Sequence, residues 1–206
     1  MFPQALRVAL GLILFRGGPA DMPFASTLPR IALAMAVFNT ALLLSPVAPL
    51  SMALATGVGG AVGVAFFTRQ LLKGKKLDNR YAQAVSAQLL VGSLFALALW
   101  PAILAMAPSM QETMALMRAA MTGAGTTADP LAAAMQAAQS AKLKPPAWAA
   151  LWSDVVFIWS LIASVRIYRL AADLSMPGSW LLTLLSLFVL TGFVMAAQLI
   201  AAIITG

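Results

Sequence analysis

The chain has 206 residues, of which 62% are hydrophobic and only 9% are charged, with a net charge of +7. A water-soluble domain has about 25% charged residues, so this chain has too few of them to cover a surface in contact with water. It contains no Cys and no His, which excludes disulfides, thiolate nucleophiles, Cys- or His-ligated metals and Ser-His-Asp catalysis. The composition therefore predicts an integral membrane protein that is not an enzyme and needs no cofactor.

Residues 1–29 precede the first long apolar stretch. Gln4, Arg7 and Gly11 recur at helical spacing within an otherwise apolar sequence, which predicts an amphipathic helix lying in the membrane interface. A signal peptide is the alternative interpretation. It would carry its positive charge ahead of the apolar stretch, whereas Arg7 lies inside it.

Five apolar stretches are long enough to cross a bilayer, whose core of about 30 Å needs roughly 20 helical residues. They cover residues 30–48, 50–68, 82–106, 147–165 and 180–205. Pro46 and Pro49 separate the first two, and because proline ends helices these spans should form a tight hairpin. The predicted fold is all-α, a polytopic transmembrane helical bundle forming one membrane domain, with spans 1–3 in residues 30–106 and spans 4–5 in residues 147–206.

The basic residues indicate the orientation of this bundle. Ten of the 13 lie on one side of a five-span topology, and three lie on the other. By the positive-inside rule the N-terminus is cytoplasmic and the C-terminus is exported, with the bacterial inner membrane as the location. The larger group is spread over several junctions without stacking aromatic residues, so no nucleic-acid site is predicted. It comprises Arg7, Arg16, Arg30, Arg69, Lys73, Lys75, Lys76, Arg80, Arg166 and Arg169.

Residues 107–146 form the only long excursion from the bilayer. Ser109 and Glu112 have the spacing of a capping box, which predicts the start of a short helix. Asp129 and Pro130 have the types expected at the cap and first turn of a second helix. The segment is therefore predicted to be a helical hairpin on the exported membrane face.

A methionine stripe follows the predicted capping box. Its members share one face of a helix, at spacings of four, four, three and four. Packing against the bundle or lipid headgroups, docking of a partner protein and capture of a soft metal such as Cu(I) are the alternatives. The first is preferred, and no metal site is assigned. The stripe comprises Met106, Met110, Met114, Met117 and Met121.

Asp154 is the only acidic residue inside a predicted span, six residues after Trp148 and so about 9 Å along the helix from it. A carboxylate there costs about 2.5–3.5 kcal/mol on insertion scales, so it should face the bundle interior or water. One interpretation is a proton or cation site. The other is a buried carboxyl that hydrogen-bonds to neighbouring polar groups and fixes packing. The expected polar neighbours are Asn39, Gln88, Ser153 and Gln198.

Ala55, Gly59 and Gly63 place small residues at four-residue spacing in the second span. Such a pattern lets two helix backbones approach closely within lipid. The expected neighbour is the first span or another helix of the same bundle. A second copy of the chain or a foreign subunit is the alternative.

Two short stretches resemble the Yip1 family of small five-helix membrane proteins, in particular its bacterial branch. The first is Asp-Met-Pro-Phe-Ala from Asp21, and the second is Trp-Ser-Leu from Trp159, continued by Arg-Ile-Tyr-Arg-Leu from Arg166. The resemblance implies a cytoplasmic N-terminus, a close hairpin of the first two spans and an exported C-terminus. Eukaryotic members have Asp-Leu-Tyr-Gly-Pro where this chain has Met-Pro-Phe after Asp21, so their role in vesicle traffic with small GTPases is not carried over.

These observations favour a non-enzymatic integral membrane protein that acts as an interaction or assembly partner. Its expected partners are lipid and other membrane protein subunits, with the exported hairpin and the glycine-containing second span as contact surfaces. The alternative is a small proton- or cation-linked transporter that uses Asp154.

Overall fold

The structure is a computed structural model that describes residues 1–123, 132, 135, 136 and 139–205, without the side chains of 121–123 and 205. All the regular elements in these residues are helical. Short 3-10 turns at Pro19–Asp21 and Asp78–Arg80 precede the second and fourth α-helices. The α-helices are α1 (Phe2–Ile13), α2 (Leu28–Leu44), α3 (Leu50–Gly74), α4 (Tyr81–Gly123), α5 (Ala147–Ala171) and α6 (Met176–Thr205).

Four of these helices, α3 to α6, are long and apolar enough to cross a membrane by their length and composition. This finding confirms the all-α membrane class predicted from the composition. The apolar helix α2 has only 17 residues, fewer than the other four, so the count of five spans stays a prediction.

Contacts at both ends of the bundle define how the helices are arranged. At one end Gln111 Nε2 donates a hydrogen bond of 2.6 Å to the Pro46 carbonyl, so the α2–α3 connection lies beside the C-terminal part of α4. At the other end Arg80 Nη1 lies 2.8 Å from Asp173 Oδ2 and joins the start of α4 to the α5–α6 connection. We call this second end the basic end, because it also carries the lysines and arginines of the α3–α4 connection.

Helix α4 is the centre of the bundle and contacts α1, α2, α3 and α5. Its residues Val85, Leu89, Leu90, Val91 and Phe95 are buried in the main apolar core. The most extensive contact between two helices is that of α3 with α6. Helix α4 thus packs against α1, α2, α3 and α5, while α6 packs mainly on α3.

The helix start predicted at the Ser109–Glu112 capping box is wrong, while the end of the third membrane span at residue 106 stays a prediction. Helix α4 continues to Gly123 with Pro101 and Pro108 inside it. Each proline removes only one backbone hydrogen-bond donor, and the surrounding Ala, Leu and Met residues favour helix. Ser109 Oγ donates to the Met106 carbonyl at 2.8 Å. The Glu112 carboxylate instead accepts the Leu143 backbone N–H at 2.7 Å. The methionine stripe thus belongs to α4. Asp129 and Pro130, the predicted start of the second helix, lie outside the described residues.

Helix α1 buries Ala5, Ala9 and Leu12, while Gln4 and Arg7 are exposed. The buried side contacts α4 and α5. The exposed side also carries Leu10, so it mixes polar and apolar residues, and the position of α1 in the membrane interface stays a prediction.

Candidate functional site

A cavity of about 370 Å³, partly open to the protein surface, lies between α2, α3, α4, α5 and α6. Two glycines create part of this space. A Cβ atom added to Gly60 of α3 or Gly92 of α4 would meet no atom within 4 Å. Most of the lining is apolar, including Phe95 and Leu99 of α4 and Leu187 of α6. The arrangement is that of a ligand cavity with a few polar groups, which is the usual composition of small-molecule sites.

Gln88 and Ser164 form the main polar pair in the wall of this cavity. Gln88 Nε2 donates a hydrogen bond of 2.8 Å to Ser164 Oγ and so joins α4 to α5. Gln88 Oε1 is buried without a hydrogen-bond partner among the described residues. Leaving such an oxygen unpaired costs about 1–3 kcal/mol. The wall of the cavity therefore includes a residue with an unused hydrogen-bond acceptor.

Four other hydroxyl groups in the wall donate their protons within their own helices. Ser93 Oγ donates to the Leu89 carbonyl at 2.8 Å, and Ser186 Oγ donates to the Thr183 carbonyl at 2.7 Å. Thr183 and Ser160 bond in the same local way. No charged side chain lines the part of the cavity that the structure describes. The site is suited to a neutral molecule, because an unpaired charge in such a place is costly.

Asp154 does not line this cavity. It is exposed on α5, on the same side as Leu151, Val155 and Ile158, which are also exposed. Within the described residues it has no hydrogen bond or ion pair. It lies ten residues from Ser164, which is about 15 Å along the helix axis. A carboxylate therefore projects from an otherwise apolar helix face.

The structure does not bring the expected polar neighbours together around Asp154. Gln198 Nε2 donates to Thr56 Oγ1 at 2.8 Å and joins α6 to α3. Asn39 is only 6% exposed on α2. Its amide nitrogen and the Ser153 hydroxyl have no partner among the described residues. Gln88 is paired to Ser164, so none of these groups forms a hydrogen bond with Asp154 among the described residues.

The small residues of α3 pack within the chain. A Cβ at Gly59 would lie 2.7 Å from the Phe193 carbonyl oxygen and 2.8 Å from Val194 Cα. A Cβ at Gly63 would lie 3.3 Å from Leu190 Cα. Both glycines thus face the backbone of α6, while Ala55 on the same helix is half-buried. No room is left at Gly59 or Gly63 for a helix of another subunit.

The methionine stripe extends past the α2–α3 connection. Met110 and Met117 are half-buried, and Met114 is 38% exposed. Met114 lines a cleft of about 400 Å³ together with Pro46 and Gln111. The side chain of Met121 lies outside the described residues. The stripe therefore contributes at least one exposed methionine to a surface formed by two parts of the chain.

The two stretches that resemble the Yip1 family lie beside each other at the basic end. Arg166 Nη2 donates to the Gly17 carbonyl at 3.0 Å, just ahead of Asp21. Trp159 Nε1 donates to the Ile13 carbonyl at 3.0 Å. Gln83 Nε2 bonds to the carbonyls of Ala20 at 2.9 Å and Met22 at 2.8 Å. These hydrogen bonds hold the N-terminal segment against α4 and α5.

The sequence analysis did not identify Gln83, Ser164 or the cavity. One available signal is the recurrence of polar residues inside the apolar stretches, as at Gln88 and Ser93 or Ser160 and Ser164. Such residues in a span face a neighbouring helix more readily than lipid. The open space beside Gly60 and Gly92 has no sequence signal, because it depends on how the other helices pack.

Comparison with protein-family models, curated proteins and solved structures finds no match to this chain. The Yip1 resemblance therefore stays a prediction based on its short motifs. The described residues are all-helical in their regular elements, and four of the helices are long and apolar enough to cross a membrane.

Proposed function

We propose that this chain is a non-enzymatic membrane protein that assembles with another membrane protein through the face of α5 around Asp154. The observation that supports this proposal is the exposure of Asp154 on an apolar face of a helix long enough to cross a membrane. The proposed partner is a transmembrane helix with a basic side chain at the same depth.

The physical argument is the mismatch between Asp154 and its neighbours on that face. Leu151, Val155 and Ile158 suit either lipid or a packed helix, but a carboxylate in hydrocarbon costs about 2.5–3.5 kcal/mol. A long Lys or Arg side chain can reach the interface from such a depth. The side chain of Asp is too short to cover the distance of about 9 Å to the level of Trp148. A basic residue on a partner helix would pair with the carboxylate and remove this cost.

Replacing Asp154 with leucine is expected to separate the chain from this partner. With a photoreactive amino acid at Ile158, on the same face, we expect crosslinks to a second membrane protein in intact membranes, identified by mass spectrometry. Asp154→Leu should reduce their yield about tenfold, since a lost charge-assisted bond is worth about 1.5–3 kcal/mol. The same photoreactive residue at Phe188, exposed on α6, is the control for random contacts.

Two results would contradict the proposal. One is an unchanged crosslink yield in Asp154→Leu. The other is a wild-type chain that is monomeric in mild detergent and without a crosslinked neighbour in membranes. If Asp154 simply faced lipid, the leucine variant would insert more readily and lose no partner.

A proton- or cation-linked transporter that uses Asp154 remains the alternative function. It has less support, because Asp154 is not among the described residues that line the central cavity. Flux into liposomes that is lost in Asp154→Asn would favour it, since this variant keeps the shape of the side chain and removes its charge.

We further propose that the basic end faces the cytosol of a bacterium and that the opposite end is exported. The support is the concentration of lysines and arginines at the basic end. The chain has no native cysteine, so Lys75→Cys and Lys144→Cys each introduce a single thiol at an exposed position. In intact bacterial spheroplasts, a membrane-impermeant maleimide should label Lys144→Cys and not Lys75→Cys. Equal labelling of both would contradict the orientation.

A further inference from the structure

We propose that the cavity within the bundle binds a neutral amphiphile, a single apolar chain with one hydroxyl group, and that Gln88 and Ser164 hold this hydroxyl. The inference concerns the bundle interior and does not depend on the partner surface around Asp154.

The polar end of the site sets the chemistry of the ligand group. Gln88 Oε1 is buried and has no partner among the described residues. Ser164 Oγ accepts the bond from Gln88 Nε2 at 2.8 Å, and the described residues contain no acceptor for its own proton. The pair therefore offers one free acceptor and one free donor side by side. A hydroxyl group both donates and accepts, so it satisfies the two at once.

The remainder of the wall restricts the other part of the ligand. The nearby hydroxyls of Ser93, Ser160, Thr183 and Ser186 already donate to carbonyls of their own helices. No charged side chain is present among the described lining residues. A charged headgroup would therefore be desolvated without compensation. An apolar chain instead contacts side chains such as Phe95, Leu99 and Leu187.

The size of the cavity agrees with a small ligand. Its volume of about 370 Å³ falls in the range of about 300–1,000 Å³ that is usual for ligand sites. Gly60 and Gly92 leave it open, because a Cβ at either position would meet no atom. A large side chain at one of these glycines would occupy the space that the ligand needs.

Photolabelling of the purified full-length protein in lipid nanodiscs tests this proposal. The probe is a long-chain primary alcohol with a diazirine in its alkyl chain, and the comparison probe is its methyl ether, which cannot donate a hydrogen bond. We expect the alcohol to label cavity-lining residues of α4 and α5, with competition by the unlabelled alcohol. The ether should label them about tenfold less, because it leaves Gln88 Oε1 unpaired.

Two glycine variants separate cavity binding from adsorption to the protein surface. Gly92→Leu should reduce specific labelling by the alcohol about tenfold, since the new side chain fills the site. Gly192→Leu is the matched control. Like Gly92, Gly192 is exposed and has no atom near an added Cβ. It lies on α6 outside the cavity lining, so labelling should be unchanged.

A third variant decides the outcome if Gly92→Leu does not fold. The methionine side chain in Gln88→Met has nearly the same shape as glutamine but no amide group. The alcohol and the ether should therefore label this variant equally, because both still bind to the apolar wall. Equal labelling by the two probes in the wild type would overturn the proposal, as would competition-insensitive labelling. If only an ordered water bound at Gln88, neither probe would label the cavity specifically, and the proposal would be wrong.

Discussion

Replacing Gly59 with alanine is expected to lower the free energy of unfolding of the bundle by about 3 kcal/mol, the upper part of the usual range for overpacking a core. The added Cβ would lie 2.7 Å from the Phe193 carbonyl oxygen and 2.8 Å from Val194 Cα. Both atoms belong to the backbone of α6, so no side chain can rotate away. Relief requires α3 and α6 to separate, which loosens the most extensive interhelical contact in the protein.

The neighbouring glycine provides a matched control for this variant. A Cβ at Gly60 would meet no atom within 4 Å, and alanine is favoured over glycine in a helix by about 1 kcal/mol. Gly60→Ala should therefore be neutral or stabilising. Unfolding of both variants in mixed detergent micelles, followed by circular dichroism, compares them directly. An equal loss in the two variants would show that close packing on α6 is not the cause.

Replacing Tyr168 with alanine is expected to reduce stability by about 3–5 kcal/mol, as for other large aromatic residues removed from a core. Tyr168 is only 2% exposed, near the basic end of α5. Its ring packs edge-to-face on Phe67 with 5.5 Å between the ring centroids. The substitution removes this ring and enlarges the central cavity, whose wall includes Tyr168.

A nearby apolar surface residue of α5 serves as the control for Tyr168. Leu170 is 40% exposed, so Leu170→Ala should change the unfolding free energy by less than about 1 kcal/mol. Tyr168→Phe keeps the ring and should retain most of the stability. The same detergent unfolding assay measures all three variants. A loss in Leu170→Ala as large as that in Tyr168→Ala would contradict the assignment of Tyr168 to the core.

The sequence predicted the elements whose identity depends on local composition. Long apolar stretches and few charges are sufficient to predict α3, α5 and α6, and the prolines at 46 and 49 mark the connection between α2 and α3. Each segment that crosses lipid must be apolar and must satisfy its own backbone hydrogen bonds, so its sequence alone is sufficient to indicate a helix. These features do not depend on how the helices pack together.

Predictions that depend on the balance between competing local signals were less successful. Ser109 and Glu112 have the spacing of a capping box, but α4 passes through them and on to Gly123. The Glu112 carboxylate finds the backbone of residues 142 and 143 instead. A capping motif can start a helix only where the preceding residues are not already helical, and the sequence at 101–108 does not reveal this.

The candidate sites depend on which faces of the helices meet, and this is why they were harder to predict. Asp154, Gln88, Gln198 and Asn39 were grouped because all four are polar residues in apolar stretches. In the structure Gln88 instead bonds to Ser164 and Gln198 to Thr56, and Asp154 is exposed. The cavity depends on the absence of side chains at Gly60 and Gly92 while Gly59 touches α6. Adjacent glycines in one helix thus have different environments that their sequence alone does not distinguish.

The shortness of α2 has a consequence for the surrounding bilayer. Its 17 residues extend about 25 Å, whereas a typical hydrocarbon core is about 30 Å thick. Ile31 and Phe38 are exposed on α2 and would meet lipid there. If α2 crosses the membrane as predicted, the resulting hydrophobic mismatch is confined to one side of the protein. Lipids with shorter acyl chains should relieve that local thinning, so the stability of the inserted protein should depend on chain length.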